Sequence, residues 1–222
     1  MQIISSCILA AAALTLGFPS PGNPVQSDGF QSLFDGNTLA NWHSLSLGTT
    51  QAKWLARDGV LTYESGDSWL ASDKTYTDFV LRLEYRTGAD TDSGIFLRSP
   101  DDGYPSFTGM ELEIRDDAAA PASVRSTSAL YGAVAPLKKT NKPAGEWNQV
   151  EVTVVGRHLS ASWNGVQIHD VNLDDPAYAG AQRGPLSARA RAGHVGFQAH
   201  LTGAPAEFRN IRIKNLELGI KN

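Results

Sequence analysis

Residues 159–169 read Leu-Ser-Ala-Ser-Trp-Asn-Gly-Val-Gln-Ile-His. An Asn-Gly pair between two alternating runs takes the positive φ angles of a type I′ turn, whose twist matches an antiparallel ribbon. The segment predicts a β-hairpin. The same period of two recurs upstream, where Phe79, Leu81, Leu83 and Tyr85 alternate with Arg82, Glu84 and Arg86. That is the pattern of a half-buried strand. Val150, Val152 and Val154 repeat it against Gln149, Glu151 and Thr153, and shorter candidates fall at 94–98, 110–115, 194–200 and 208–216. Beyond residue 28 no stretch sets apolar residues at helical spacing. About ten short strands separated by Gly, Pro and Asp predict an all-β domain, most economically a sandwich of two antiparallel sheets. No repeat or linker divides residues 28–222, which read as a single domain.

The 222 residues carry 19 Lys+Arg against 23 Asp+Glu, a net charge of −4, with 41% hydrophobic and 19% charged residues. This is the composition of a packed domain rather than a disordered chain. With no basic run to neutralise phosphates, nucleic acid is not an expected partner. Residues 3–18 form an apolar run broken mainly by Ser5, Ser6 and Thr15, too short for a membrane span. Although Met1-Gln2 lacks the usual positive charge, the run reads as a secretory signal, with a short leader through Ser27. The expected location is the periplasm or the exterior. Cys7, the sole cysteine, lies inside that run, so the mature domain would have no disulfide, thiol nucleophile or cysteine-ligated metal.

No phosphate loop, dinucleotide fingerprint, nucleophile elbow or His-Glu-x-x-His helix is present. No nucleotide or organic cofactor is therefore expected. Asp90 and Asp92 fit a tight turn better than a calcium loop. On the strand at 110–115, Leu112 and Ile114 point to the core, so Glu111 and Glu113 share the opposite face, ~7 Å apart. Such a pair suits a metal ligand plus a base, hydrogen bonds to a polyol, or a plain solvated face of paired charges. On the strand at 194–200, Gln198 and His200 lie opposite Val195, Phe197 and Ala199, and Gly196 leaves room for close approach. The strand at 93–98 presents Phe96 and Arg98. If the three strands share one sheet, Glu111, Glu113, Gln198, His200, Arg98 and the Phe96 ring form a sugar site: polar groups for hydroxyls and a flat apolar face. An imidazole at His200 serves as base or as metal ligand. His43, His158, His169 and His194 read as surface or hairpin residues, and the five tryptophans as core.

The order of motifs along residues 29 to 217 resembles the 3-keto-disaccharide hydrolase domain family. It runs from Phe30-Gln31-Ser32-Leu33-Phe34-Asp35-Gly36 and Asn41-Trp42 through Ser93-Gly94-Ile95-Phe96-Leu97-Arg98, Glu111-x-Glu113-Ile114-x-Asp116 and Ala129-Leu130-Tyr131-Gly132. Gly145-Glu146-Trp147-Asn148, Trp163-Asn164-Gly165, Gly184-Pro185-Leu186, the segment 193–200 and Glu207-Phe208-Arg209-Asn210-Ile211 complete it. The resemblance implies a concanavalin-like jelly-roll sandwich. It also implies cleavage of glycosides already oxidised at sugar C3, by hydrolysis or by elimination across C1 and C2, with a divalent metal cation in the site. Carried over by position, Glu111 and His200 would be metal ligands or base, with Gln198, Arg98 and Arg209 holding substrate oxygens. Glu113 stands where the family pattern leads one to expect Gln, and Ala199 where an acidic residue is common beside the histidine. The alternatives are a lectin-like module that only binds carbohydrate, and a conventional glycoside hydrolase using Glu111 and Glu113.

Overall fold

The computed structural model describes residues 29–45 and 50–216; the apolar run at 3–18, with Cys7, lies outside them. The strands are β1 (Gln31–Ser32), β2 (Trp42–Leu45), β3 (Trp54–Arg57), β4 (Val60–Tyr63), β5 (Ser68–Ser72), β6 (Phe79–Arg86) and β7 (Asp92–Ser99). After one turn of helix, α1 (Pro105–Thr108), come β8 (Met110–Arg115), β9 (Asn148–Val155), β10 (His158–Trp163), β11 (Val166–Asn172), β12 (His194–Ala199) and β13 (Glu207–Asn215). They form two antiparallel sheets. The larger runs β11-β10-β9-β6-β13-β4-β3 with β1 beside β13, and the smaller runs β2-β5-β12-β7-β8. The fold is the expected all-β jelly-roll sandwich. Among the described residues no helix is long and apolar enough to cross a membrane.

The alternation read from the sequence is what joins the sheets. Phe79, Leu81, Leu83 and Tyr85 of β6 face Leu112 and Ile114 of β8 and Val195, Phe197 and Ala199 of β12 in one buried cluster. Each Leu, Ile, Val or Phe among them contributes ~1.5–3 kcal/mol through burial. Phe197 stacks on Phe208 of the opposite sheet with centroids 4.1 Å apart. The β10–β11 hairpin turns at Asn164 and Gly165 with φ of 51° and 79°, as the Asn-Gly pair predicts.

Two arginines expected at the site are elsewhere. Arg209 lies on β13 in the other sheet, where its Nε donates to Glu84 at 2.7 Å and its guanidinium covers the Trp147 ring. Arg98 is fully buried. A period of two would turn it outward with Gly94 and Phe96, but its φ is +52° and the β12 register slips opposite it, between His194 and Gly196. The side chain instead donates to the Thr77 carbonyl, the Gly156 carbonyl and the Asp78 carboxylate, at 2.6, 2.7 and 3.0 Å. Arg98 fastens the strand end to the neighbouring loops.

Candidate functional site

Pairing registers lay out the outer face of the smaller sheet. One row reads Leu45, Trp69, Gln198, Gly94, Glu113, and the next reads His43, Ala71, Gly196, Phe96, Glu111. Over the β12, β7 and β8 side lies a cleft of about 230 Å³. Its strand residues include Asp92, Glu111, Glu113, Arg115 and Gln198, with His200 just past β12. The turn of helix α1 adds Ser106 and Phe107, and loops add Tyr104, Tyr131 and Arg183. The structure thus brings together Glu111, Glu113, Gln198 and His200, and leaves out Arg98 and Arg209.

Phe96 sits beneath this face rather than on it. It is fully buried with Leu45, Trp69 and Ala71, and a Cβ on Gly196 would come within 2.4 Å of its ring. The room that Gly196 leaves is therefore filled by Phe96. The aromatic surface the cleft offers is Trp69 with Tyr104, edge to face at 5.3 Å. Trp69 Nε1 is buried without a hydrogen-bond partner.

Glu111 and Glu113 do not form a solvated charged face: they are only 4% and 3% exposed. Their strand is the sheet edge, but a loop covers it. The amides of Ser128 and Tyr131 donate to the carbonyls of Glu113 and Glu111 at 2.7 and 2.9 Å. Glu111 also lies over Gly94, where a Cβ would meet its Oε1 at 2.1 Å. That oxygen has no hydrogen-bond partner. Burial, reinforced by nearby Asp92, pushes the Glu111 carboxyl up to about 8, against a pull downward from Ser106 and Arg183. Burial and then Glu111 itself push Glu113 to about 10. Two buried carboxyls on one strand face resist ionising together at neutral pH, and burial drives both toward the protonated form.

Cations balance the pair. Arg115 Nη2 stands 3.1 Å from Asp92 and its Nη1 3.5 Å from Glu113. Arg183 lies 3.9 Å above the Phe107 ring and has no carboxylate within ion-pair distance among the described residues. Its loop is clamped to α1 by buried Arg189, which donates to the carbonyls of Ser106, Phe107 and Gly184. The Thr202 amide donates to His200 Nδ1 at 3.3 Å, which puts the neutral ring's proton on Nε2. Ala199 faces the inter-sheet core, so Thr202 does the orienting that a carboxylate beside the histidine would otherwise do. Asp92, expected in a tight turn, opens β7 opposite Arg115, and with Arg115 and Arg183 it carries charge at the cleft. Arg115 at least shared the glutamate face by alternation, whereas Arg183, on an aperiodic loop, had no such signal.

Of the side chains expected to hold a divalent ion, Glu111 and His200 both line the cleft. Among the described residues, no third His, Cys, Asp or Glu ligand atom joins those two within 4.8 Å. A solution consequence follows for Glu113. The folded chain holds a proton there that the unfolded chain releases above pH ~4.5, so its contribution to stability is full below that pH and falls as pH rises. Glu113→Gln removes the penalty. Its melting temperature is expected to match wild type near pH 4.5 and to exceed it by roughly 5–10 °C at pH 7. A pH-independent difference in thermal melts would contradict the buried, protonated state.

The sequence profile of the 3-keto-alpha-glucoside-1,2-lyase-like domain matches residues 29–214. The chain belongs to this family. A relative named 3-keto-disaccharide hydrolase, from Bacteroides thetaiotaomicron, is 22% identical over 236 residues, covering 87% of this chain and 81% of that protein. The crystal structure of a candidate glycosyl hydrolase from Parabacteroides distasonis superposes with a TM-score of 0.73 at 23% identity, over 85% of this chain and 94% of that one. A carbohydrate-binding module from Bacillus subtilis has a TM-score of 0.55 at 12% identity, over 79% of this chain and 96% of its own. At these identities the structural likenesses establish the jelly roll. Within the 3-keto-alpha-glucoside-1,2-lyase-like family, chemistry must be argued from the cleft.

Proposed function

We propose that the cleft cleaves glycosides already oxidised to a ketone at sugar C3, by removing the C2 proton and expelling the C1 oxygen. The observation that carries this reading is Glu111, a buried carboxyl raised to about 8 with an unpartnered oxygen in the cleft wall. A C3 ketone acidifies the C2 hydrogen. A carboxylate raised this far is a stronger base than an exposed one, yet is still partly ionised at neutral pH, the match that general-base catalysis favours. As the C2 proton moves to Glu111, negative charge develops on the C3 oxygen. Arg183, Arg115 and the His200 Nε2–H are donors for that oxygen, in a setting of low dielectric. Gln198 and the Trp69 indole N–H serve the hydroxyls, and Tyr104 offers the sugar ring a face. The enolate then collapses back to the C3 ketone, its electron pair forming a new double bond between C1 and C2 as the C1–O bond breaks, and the leaving oxygen takes up the proton held by Glu111 or one from solvent. Water added across that double bond would give net hydrolysis.

A conventional glycosidase needs one protonated and one ionised carboxyl flanking C1. Here both glutamates rise from one strand face, two residues apart on β8, so they stand side by side rather than on the two sides of C1. The name of the Bacteroides relative supports the same substrate class, and the apolar run at 3–18 supports an exported enzyme. The test is aglycone release from a 3-keto-glucoside and from its unoxidised parent. Cleavage of the keto sugar alone is expected. Equal cleavage of both would restore the conventional glycosidase, and binding without cleavage of either would leave a lectin-like module.

A further inference from the structure

The outer face of the smaller sheet carries a second cluster, at its β2 edge. His43 and Glu111 end one cross-strand row at opposite edges, four strand spacings or ~19 Å apart. His43 on β2 meets His194, the first residue of β12, edge to face at 5.2 Å. Asp101, from the loop after β7, closes the group. Its Oδ1 is 2.9 Å from His194 Nε2 and 3.6 Å from His43 Nε2. Among the described residues this is the only group of three or more His, Cys, Asp or Glu ligand atoms lying within 4.8 Å of one another. His194 is 6% exposed, so the sequence expectation of a surface residue does not hold for it.

The hydrogen bonds behind the two rings decide what faces the centre. His194 Nδ1 lies 2.6 Å from the Ser72 carbonyl, which can only accept, so that nitrogen carries the proton. His43 Nδ1 lies 2.9 Å from the Asp73 carboxylate, which fixes its tautomer in the same way. Ser72 at the end of β5 and Asp73 after it thus fix both rings so that, in the neutral form, each turns a bare Nε2 lone pair toward a carboxylate oxygen. Three acceptors facing one another repel unless a positive species lies between them. Two imidazoles and one carboxylate form a zinc donor set, and a carboxylate behind a ligating histidine is its usual support. Bonds of ~2.0–2.2 Å in a tetrahedron set donors roughly 3.3 Å apart, and the two observed separations bracket that value.

We propose that His43, Asp101 and His194 bind a divalent transition-metal ion, zinc foremost, with solvent in the remaining position. Asp101, whose side chain is 73% exposed, keeps that side open. The ion would tie the edge strand β2 to β12 and to the loop after β7, apart from the cleft chemistry.

Untagged, metal-stripped protein titrated with zinc chloride in a calorimeter should take up one ion per chain. Its melting temperature should rise by ~5–10 °C when free zinc exceeds Kd a hundredfold. Cobalt(II) should give the intense visible bands of a four-coordinate site. His43→Ala and Asp101→Asn should each weaken binding at least tenfold. Asp73→Asn, which touches no metal, should weaken it ~10–100-fold. Glu111→Gln and His200→Ala should bind zinc like wild type. Asp101 is so exposed that Asp101→Asn does not threaten the fold, which keeps the test decisive. No zinc uptake by wild type overturns the proposal and leaves a protonated His194–Asp101 ion pair. Unchanged affinity in His43→Ala and Asp101→Asn overturns it equally, and loss of binding in His200→Ala would move the ion to the cleft.

Discussion

Replacing Glu111 with Gln should lower kcat/KM for a 3-keto-glucoside by about 10²–10⁴-fold, the usual contribution of a general base. The amide keeps the shape over Gly94 and cannot accept the C2 proton. Folding should not suffer, because the substitution removes a buried carboxyl whose ionisation the fold opposes. Wild-type kcat/KM should rise with pH, close to tenfold per unit well below 8, and level off near 8 as Glu111 ionises. The sign separates two roles for one residue: a base gains activity as it loses its proton, whereas a general acid would lose activity over the same range. A Glu111→Gln enzyme with wild-type kcat/KM would remove Glu111 from the reaction.

Arg98→Met should produce the largest loss of stability. The fully buried guanidinium satisfies two carbonyls and one carboxylate, and methionine replaces its length without a donor. Breaking a buried pair from one side costs about 3–5 kcal/mol, which lowers the melting temperature of a chain this long by roughly 6–20 °C. The fraction still folded at low temperature should cleave the keto sugar with wild-type KM. A raised KM with an unchanged melting temperature would return Arg98 to the substrate.

These two residues mark where the sequence was and was not legible. Glu111, Glu113, Gln198 and His200 were placed on one face correctly because strand alternation is a local rule and β8 and β12 obey it. Arg98 broke that rule through a single left-handed residue, a conformation no neighbouring residue type signals. Arg209 obeyed it, but which sheet β13 joins is a long-range pairing that alternation does not encode. Phe96 was on the predicted face, yet its burial depends on a glycine one strand away. The depth of the glutamates depends on the 123–134 loop covering β8, and Arg183 and Tyr104 stand on loops and Phe107 on a single helical turn, with no periodicity to read. His43 and His194 looked unremarkable singly because only the register of five strands brings them together.

The most direct test of C2 proton removal is to cleave a 3-keto-glucoside in deuterated water, sampled early enough that enzyme-free exchange is negligible. Loss of the C2 hydrogen from the sugar product, at the rate of aglycone release and absent with Glu111→Gln, is the expected result. A sugar product that keeps its original C2 hydrogen while the aglycone is released would show that the C1–O bond breaks without it, and would contradict the proposed chemistry.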